Sequence, residues 1–225
     1  MAAVSHEVSS AVQDYAKAIY SLSAHSSEPV TTSALAERLD VSPASASAMV
    51  KRLANLGLVT HERYHGVRLT RSGERVALEV IRHHRLIELY LAEALGMPWD
   101  RVHDEAEVLE HAISPELSEL IAKKLGDPTR DPHGDPIPTR DGEIDEGSTR
   151  ALADLEPGER GLLARVSDSN PEMLRYLSDL GIVPGSELEV RGREPFGGPL
   201  TVASKGREHA LGLPLARAIR VELPA

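Results

Sequence analysis

Histidines and carboxylates recur at close spacing within residues 84–111: His84-x-x-x-Glu88, then His103-Asp104-Glu105-Ala106-Glu107, then Glu110-His111. On a helix, side chains three and four residues apart share a face, so His84 meets Glu88, His103 meets Glu107, and Glu107 meets Glu110 and His111. Two helices with such faces can enclose a divalent cation of hard or borderline character with nitrogen and oxygen ligands. A single histidine on an apolar helix is more often a hydrogen-bonded core residue than a ligand. Several imidazoles and carboxylates together are different, because burying them without a cation is costly. The cation could do chemistry, or it could report its own concentration. Dinuclear carboxylate enzymes pair Glu-x-x-His motifs from two helices, and no two helices predicted here carry them. No nucleophile or oxyanion device accompanies the cluster either, so the metalloenzyme reading is weak.

The elements that must position these groups follow from periodicity. Residues 8–24 place Val12, Tyr15, Ala16, Ile19 and Tyr20 at helical spacing. Thr32 is expected to cap a second helix, Ser33 to Leu39. Ser42 caps a third, with Pro43 in its first turn and Gly57 beyond its end. Short strands at 58–60 and 67–70 flank a turn at Tyr64-His65-Gly66. Three helices and a hairpin, in that order, make a winged helix-turn-helix. A long helix, Ser72 to Leu95, and two more over about 100–112 and 115–125 would carry the cluster. Residues 126–150 are dense in Gly, Pro and Asp and read as a partly ordered connection with a mobile end. Beyond Ala151 come β-like runs at 160–166, 187–190, 200–203 and 218–223, with a helix from Pro171 to Leu180, a pattern for a small barrel-like domain. The expected class is mainly α with small β, in three domains: 1–74, 75–149 and 150–225.

Charge is distributed unevenly. Residues 1–75 hold 8 Lys/Arg against 7 Asp/Glu, whereas residues 76–145 hold 7 against 16. The acidic excess therefore coincides with the candidate ligands, and the amino-terminal segment is left able to meet an anion. The absence of cysteine excludes disulfides, thiolate zinc sites and iron–sulfur clusters. No apolar run approaches a membrane span and no signal peptide opens the sequence, so a cytoplasmic location without membrane association is expected.

In a helix-turn-helix the amino-terminal end of the second helix of the pair meets base edges and phosphates. Here that end is Ser42, Pro43, Ala44, Ser45 and Ser47, small residues that allow close approach and offer hydroxyls. Lys51 and Arg52 on the same helix, and Arg63 and Arg68 from the wing, would contact phosphates. Such a modest basic surface binds weakly as one copy, because affinity rests on counterion release. Apolar residues after Ser72 (Ile81, Leu86, Leu89, Tyr90, Leu91) exceed what one small helix pair hides, and a homodimer is the natural use of them.

With these residues in hand, the chain resembles the metal-dependent repressors related to the diphtheria toxin repressor and the manganese transport regulator. The matching stretches are Asp14-Tyr15 with Ile19-Tyr20, Val41-Ser42-Pro43, Leu56-Gly57-Leu58-Val59, His84-Arg85-Leu86, Val102 to Ala106, Glu110-His111 and Asp135-Pro136-Ile137-Pro138. The resemblance implies a carboxy-terminal SH3-like (FeoA-like) domain and a palindromic double-stranded operator, with genes such as those for manganese uptake as targets and no small-molecule substrate. It also implies a primary site of Asp14, Glu107, Glu110 and His111, and an ancillary site of His84, Glu88 and His103. The SH3-like domain would assist through Asp168 or Glu172. The iron-sensing branch carries Met and Cys where this chain has Asp14 and Glu107, so oxygen donors here point to Mn²⁺. Fe²⁺ is the alternative effector, with Co²⁺ or Zn²⁺ able to substitute in vitro. Lys17 stands where the manganese branch without an SH3-like domain can place another carboxylate, so that branch's two-ion arrangement does not transfer. His83 points away from His84, and His61, His65, His133 and His209 show no partner pattern.

Overall fold

Apolar residues on one face of α1 (Ser10–Ser23) bury Val12, Tyr15, Ala16 and Ile19 and seed the first core. The computed structural model describes residues 8–23, 28–62 and 66–224, and its contacts divide the chain into two units. The first contains the amino-terminal segment through His84 together with 110–118 and 138–143; the second contains 85–109, 119–137 and 144–225.

In the first unit, α2 (Thr32–Arg38) is capped by Thr31, whose hydroxyl accepts from the Ala34 N–H at 3.1 Å. The cap is thus one residue earlier than Thr32, the residue expected from sequence. α3 (Pro43–Asn55) starts at Ser42, whose Oγ accepts from the Ser45 N–H at 3.1 Å. β1 (Val59–Glu62) and β2 (Gly66–Leu69) pair antiparallel, Val59 opposite Leu69. Val30 adds a bridge to Val67 through two backbone hydrogen bonds of 2.9 Å. The first turn of α4 (Arg71–Leu95) lies so close to β1's approach that a Cβ at Gly73 would fall 2.0 Å from the Leu58 carbonyl oxygen, and only glycine fits there. The Thr70 hydroxyl donates to the Gly57 carbonyl at 2.7 Å and accepts from the Gly73 N–H, anchoring the helix start. Helices and wing share one core built on Ile19, Leu35, Leu53 and Val67.

α4 ends at Gly96, whose φ of +68° suits a residue without a side chain. α5 (Val102–Leu109) and α6 (Pro115–Lys124) follow, shorter than the sequence pattern suggests. In the second unit, Leu86 and Leu89 of α4 pack with Ala122 and Ile137. The carboxy-terminal part is a six-stranded antiparallel sheet of order β3-β8-β4-β5-β6-β7. Its strands are β3 (Arg150–Ala151), β4 (Arg160–Val166), β5 (Glu187–Arg193), β6 (Leu200–Ser204), β7 (Arg207–Leu211) and β8 (Ile219–Glu222). Irregularities at Leu163/Arg165 and Val190/Gly192 bend the sheet around a core of Leu163, Val190, Leu200 and Ile219, giving the SH3-like form. α7 (Pro171–Leu180) is capped by Asn170 and stops at left-handed Gly181. α8 (Leu213–Ala218) precedes β8 where the sequence reading placed no element, and β3 and β7 also lie outside the predicted runs.

Residues 126–137 form an ordered part of the connection that the sequence reads as partly ordered. Asp131 Oδ1 accepts from the N–H groups of His133 and Asp135 at 2.8 and 2.9 Å, closing a tight turn. Arg85 lies 3.8 Å from carboxylate oxygens of both Asp131 and Asp135 and also donates to the Pro136 carbonyl. A Cβ at Gly134, φ +89°, would fall 1.9 Å from the Ala164 carbonyl oxygen. Buried backbone groups satisfied by charged side chains, rather than an apolar pattern, order this stretch.

Candidate metal centres and nucleic-acid interface

The first unit gathers Asp14, Glu110 and His111, each offering a ligand atom within 4.8 Å of the others. α1 supplies Asp14; Glu110 and His111 lie just beyond α5. His111 Nε2 is 2.8 Å from Asp14 Oδ1 and 3.4 Å from Glu110 Oε1. Its other nitrogen, Nδ1, donates to Gln13 Oε1 at 2.6 Å. That bond fixes the tautomer that leaves Nε2 to face the carboxylates, as second partners of metal-binding imidazoles do. Gln13 is buried on α1 beside Asp14, and nothing in its sequence setting marked it. The hydrogen bond that His111 donates to Asp14, with help from the charge of Glu110, raises the His111 pKa above its ordinary value. His84 Nδ1 donates to Glu110 Oε2 at 2.5 Å, so His84, expected in the ancillary set, also belongs to this neighbourhood. His83 donates to the Glu110 carbonyl at 3.3 Å and is buried, which lowers its pKa.

The second unit gathers Glu88, Asp131 and His133, all buried. His133 corrects the sequence reading, which left it without partners. Its Nε2 donates to the Trp99 carbonyl at 2.7 Å, and its ring stacks on Trp99 at 5.8 Å. Nδ1 then faces Glu88 Oε2 across 3.7 Å, too far for a hydrogen bond. Two ligand atoms each about 2.1 Å from one ion can stand this far apart. Burial opposes charging His133, but Glu88 outweighs it and raises the pKa to about 9. Asp131 is pushed well above the usual carboxylate range by burial and by the neighbouring Asp135 and Glu88. Two buried carboxylates thus share one imidazole, with Arg85 3.8 Å from Asp131, and a divalent cation among them could take the place of the His133 proton.

His103 extends this second cluster. Its Nδ1 lies 3.0 Å from Asp168 Oδ2 and 3.4 Å from Glu88 Oε1, which together raise its pKa to about 10. Asp168 follows β4 and is the acid of the SH3-like domain that reaches His103. Glu172 sits exposed in the first turn of α7, and no ligand cluster among the described residues includes it. Glu107, on α5, is exposed and lies 3.7 Å from His103 Nε2.

The candidate DNA surface is the start of α3. Ser42, Pro43, Ala44, Ser45, Ser47, Lys51 and Arg52 are all exposed, while Ala46, Val50 and Leu53 face the core. The Ser42 and Ser45 hydroxyls are 2.9 Å apart, which holds the first turn in one shape. Arg68 is exposed on β2 opposite Thr60. Arg63, Tyr64 and His65, the expected wing tip, lie outside the described residues.

Three family models match in tandem. The amino-terminal DNA-binding domain of the iron dependent repressors covers residues 7–67, their metal-binding and dimerisation domain covers 70–139, and the FeoA domain covers 150–223. The iron-dependent repressor IdeR of Mycobacterium bovis is 30% identical over 96% of this chain and 99% of its own length. The diphtheria toxin repressor of Corynebacterium diphtheriae is 32% identical over 92% of this chain and 95% of its own. A solved structure described as a manganese-dependent transcriptional repressor in complex with manganese superposes with a TM-score of 0.89 at 46% identity, covering 95% of this chain and 100% of that one.

Proposed function

The chain belongs to the iron-dependent repressor family of metal-dependent transcriptional repressors, and on that premise we propose that it is a Mn²⁺-activated repressor. The observation that carries the choice of metal is the donor set. Asp14, Glu110 and His111 in one unit, and Glu88, Asp131, His133, His103 and Asp168 in the other, offer carboxylates and imidazoles without sulfur. Such ligands suit Mn²⁺ better than the softer ions that thiolate or thioether favours. Likeness to the manganese-bound repressor supports the same reading. In this reading the protein acts in the cytoplasm as a homodimer on a palindromic operator and controls genes of metal uptake.

A divalent cation, when bound, supplies concentrated positive charge on which carboxylate and imidazole arms can converge. Gln13 presents His111 Nε2 to it, and Asp14 carries the response to α1. α1 shares a core with α3, so a fixed α1 fixes the recognition helix. In a dimer, that sets the separation of two recognition helices against successive major-groove faces. A coupling of about 1–3 kcal/mol would tighten operator binding roughly 5–150-fold.

Selection from a random duplex library, with and without Mn²⁺, tests this reading. Recovery of inverted repeats only in the presence of Mn²⁺ is expected, and Asp14→Ala should abolish the enrichment. An Asp14→Ala protein that still needs Mn²⁺ to bind the recovered duplex would remove Asp14 from the activating centre. The second reading, Fe²⁺ as effector, is favoured by the likeness to IdeR along nearly the whole chain. Titrating the recovered duplex anaerobically with Mn²⁺, Fe²⁺, Co²⁺ and Zn²⁺ separates the two.

A further inference from the structure

We propose that Lys17 is a resident cation of the first centre, which a divalent metal must displace, and that it thereby sets the metal concentration at which the protein responds. The inference rests on the reading of Asp14, Glu110 and His111 as the activating centre.

Lys17 lies on α1 three residues after Asp14, so the two share a face of that helix. Its Nζ donates to both oxygens of Glu110, at 3.0 and 2.8 Å, and lies 3.2 Å from His84 Nδ1. The Glu110 side chain is completely buried, with 0% exposure. A buried carboxylate without a compensating charge is strongly destabilising, so the metal-free protein is stabilised by this ammonium, together with the N–H that His84 donates to Glu110 Oε2. For the same reason the ammonium competes with the metal, because Nζ takes up a lone pair on each Glu110 oxygen and holds positive charge where the metal's would go. Metal entry is therefore an exchange of one cation for another, and the free energy of the Lys17–Glu110 contact is subtracted from that of metal binding.

The exchange has a physical route. The Lys17 side chain keeps 20% exposure, and a flexible four-carbon stem lets the head swing to water while the stem stays on the helix surface. Asp14 needs no comparable displacement, since its partner, His111 Nε2, is itself a ligand atom once its proton leaves. An ion pair that served only to hold the fold would behave differently: removing it would weaken the apo protein and leave metal affinity unchanged or reduced.

Lys17→Met retains the stem and removes the charge. Mn²⁺ titration of the full chain by anaerobic calorimetry, compared with Glu110→Gln, reads the outcome. The binding event that Glu110→Gln eliminates should tighten roughly tenfold or more in Lys17→Met, the size expected for losing a competing charge-assisted hydrogen bond. Thermal stability should fall without metal and recover with Mn²⁺. Unchanged or weaker binding in Lys17→Met overturns the proposal. Should that variant not fold, the wild-type chain decides: amine acetylation of Lys17, read by mass spectrometry, is expected to rise on adding Mn²⁺, and equal labelling with and without it contradicts displacement. If instead Glu110→Gln binds Mn²⁺ as the wild type does, the assignment of the centre itself fails.

Discussion

Glu110 in the first unit and Glu88 in the second are both buried carboxylates, yet the chain neutralises them differently. Glu110 meets a lysine, a cation on a movable stem, in addition to the imidazoles of His84 and His111. Glu88 lies near two imidazoles, His103 and His133, whose pKa values rise to about 10 and about 9. In both units a histidine presents one nitrogen to the carboxylates because its other nitrogen is held, by Gln13 in one and by the Trp99 carbonyl in the other. The geometry toward a metal is thus alike, while the ion it must replace is not. In the proposed reading, metal at the first centre would displace an ammonium as well as the His111 proton, whereas at the second it would displace protons alone. Two centres of similar ligands can therefore answer to different variables, and only the first contains a residue of the DNA-binding helices.

The largest effect is expected at His133. His133→Leu leaves Glu88 and Asp131 buried without their imidazole and should cost about 3 kcal/mol in urea unfolding of the metal-free protein. It should also remove Mn²⁺ binding in the second unit while leaving that of the first; loss of both would mean the two are not separate. Asp14→Met probes the other side. A thioether in place of a carboxylate should shift preference from Mn²⁺ toward Fe²⁺ and Co²⁺ by at least about tenfold in competition titrations, and an unchanged order would detach metal choice from Asp14.

The proton exchange sharpens the contrast through pH. His103 and His133 titrate above the ordinary 6.5, so their pairing stabilises the metal-free fold fully below about pH 6.5 and is lost as pH rises through 9 to 10. Metal requires the neutral imidazoles. Between pH 6.5 and 9 the Tm of the metal-free chain should fall while Mn²⁺ affinity in the second unit rises. A flat affinity over that window would place neither imidazole on the metal. The smallest effects belong to the DNA surface: Lys51→Ala, Arg52→Ala or Arg68→Ala should each lower the salt slope of duplex binding by about one, without altering the response to metal.

The winged helix-turn-helix was legible because its signals are local. Ser42-Pro43 starts α3, Gly57 follows its end, and the β-rich runs mark the two strands. Asp14, Glu110 and His111 could be named from resemblance, and helical spacing supported the last two. His133 was not legible, because its partners are distant in sequence: Glu88 from α4 and the Trp99 carbonyl. The Pro- and Gly-rich setting suggested partial order without saying what supplies it; Asp131 and Arg85 do so by hydrogen bonds and charge that leave no periodic trace. The spacing Asp131-x-His133 was the available clue. Lys17 stood out as a departure from a pattern, but only burial of Glu110 reveals what its charge does.

The central claim is that the metal bound between Asp14, Glu110 and His111 is the one that governs DNA binding. Anaerobic measurement of Mn²⁺-dependent duplex binding by Glu110→Gln tests it most directly, with Mn²⁺ stoichiometry read on the same sample. Glu110→Gln is expected to keep the Mn²⁺ bound in the second unit and no longer to tighten on DNA when the metal is added. Full Mn²⁺-dependent tightening by that variant would contradict it.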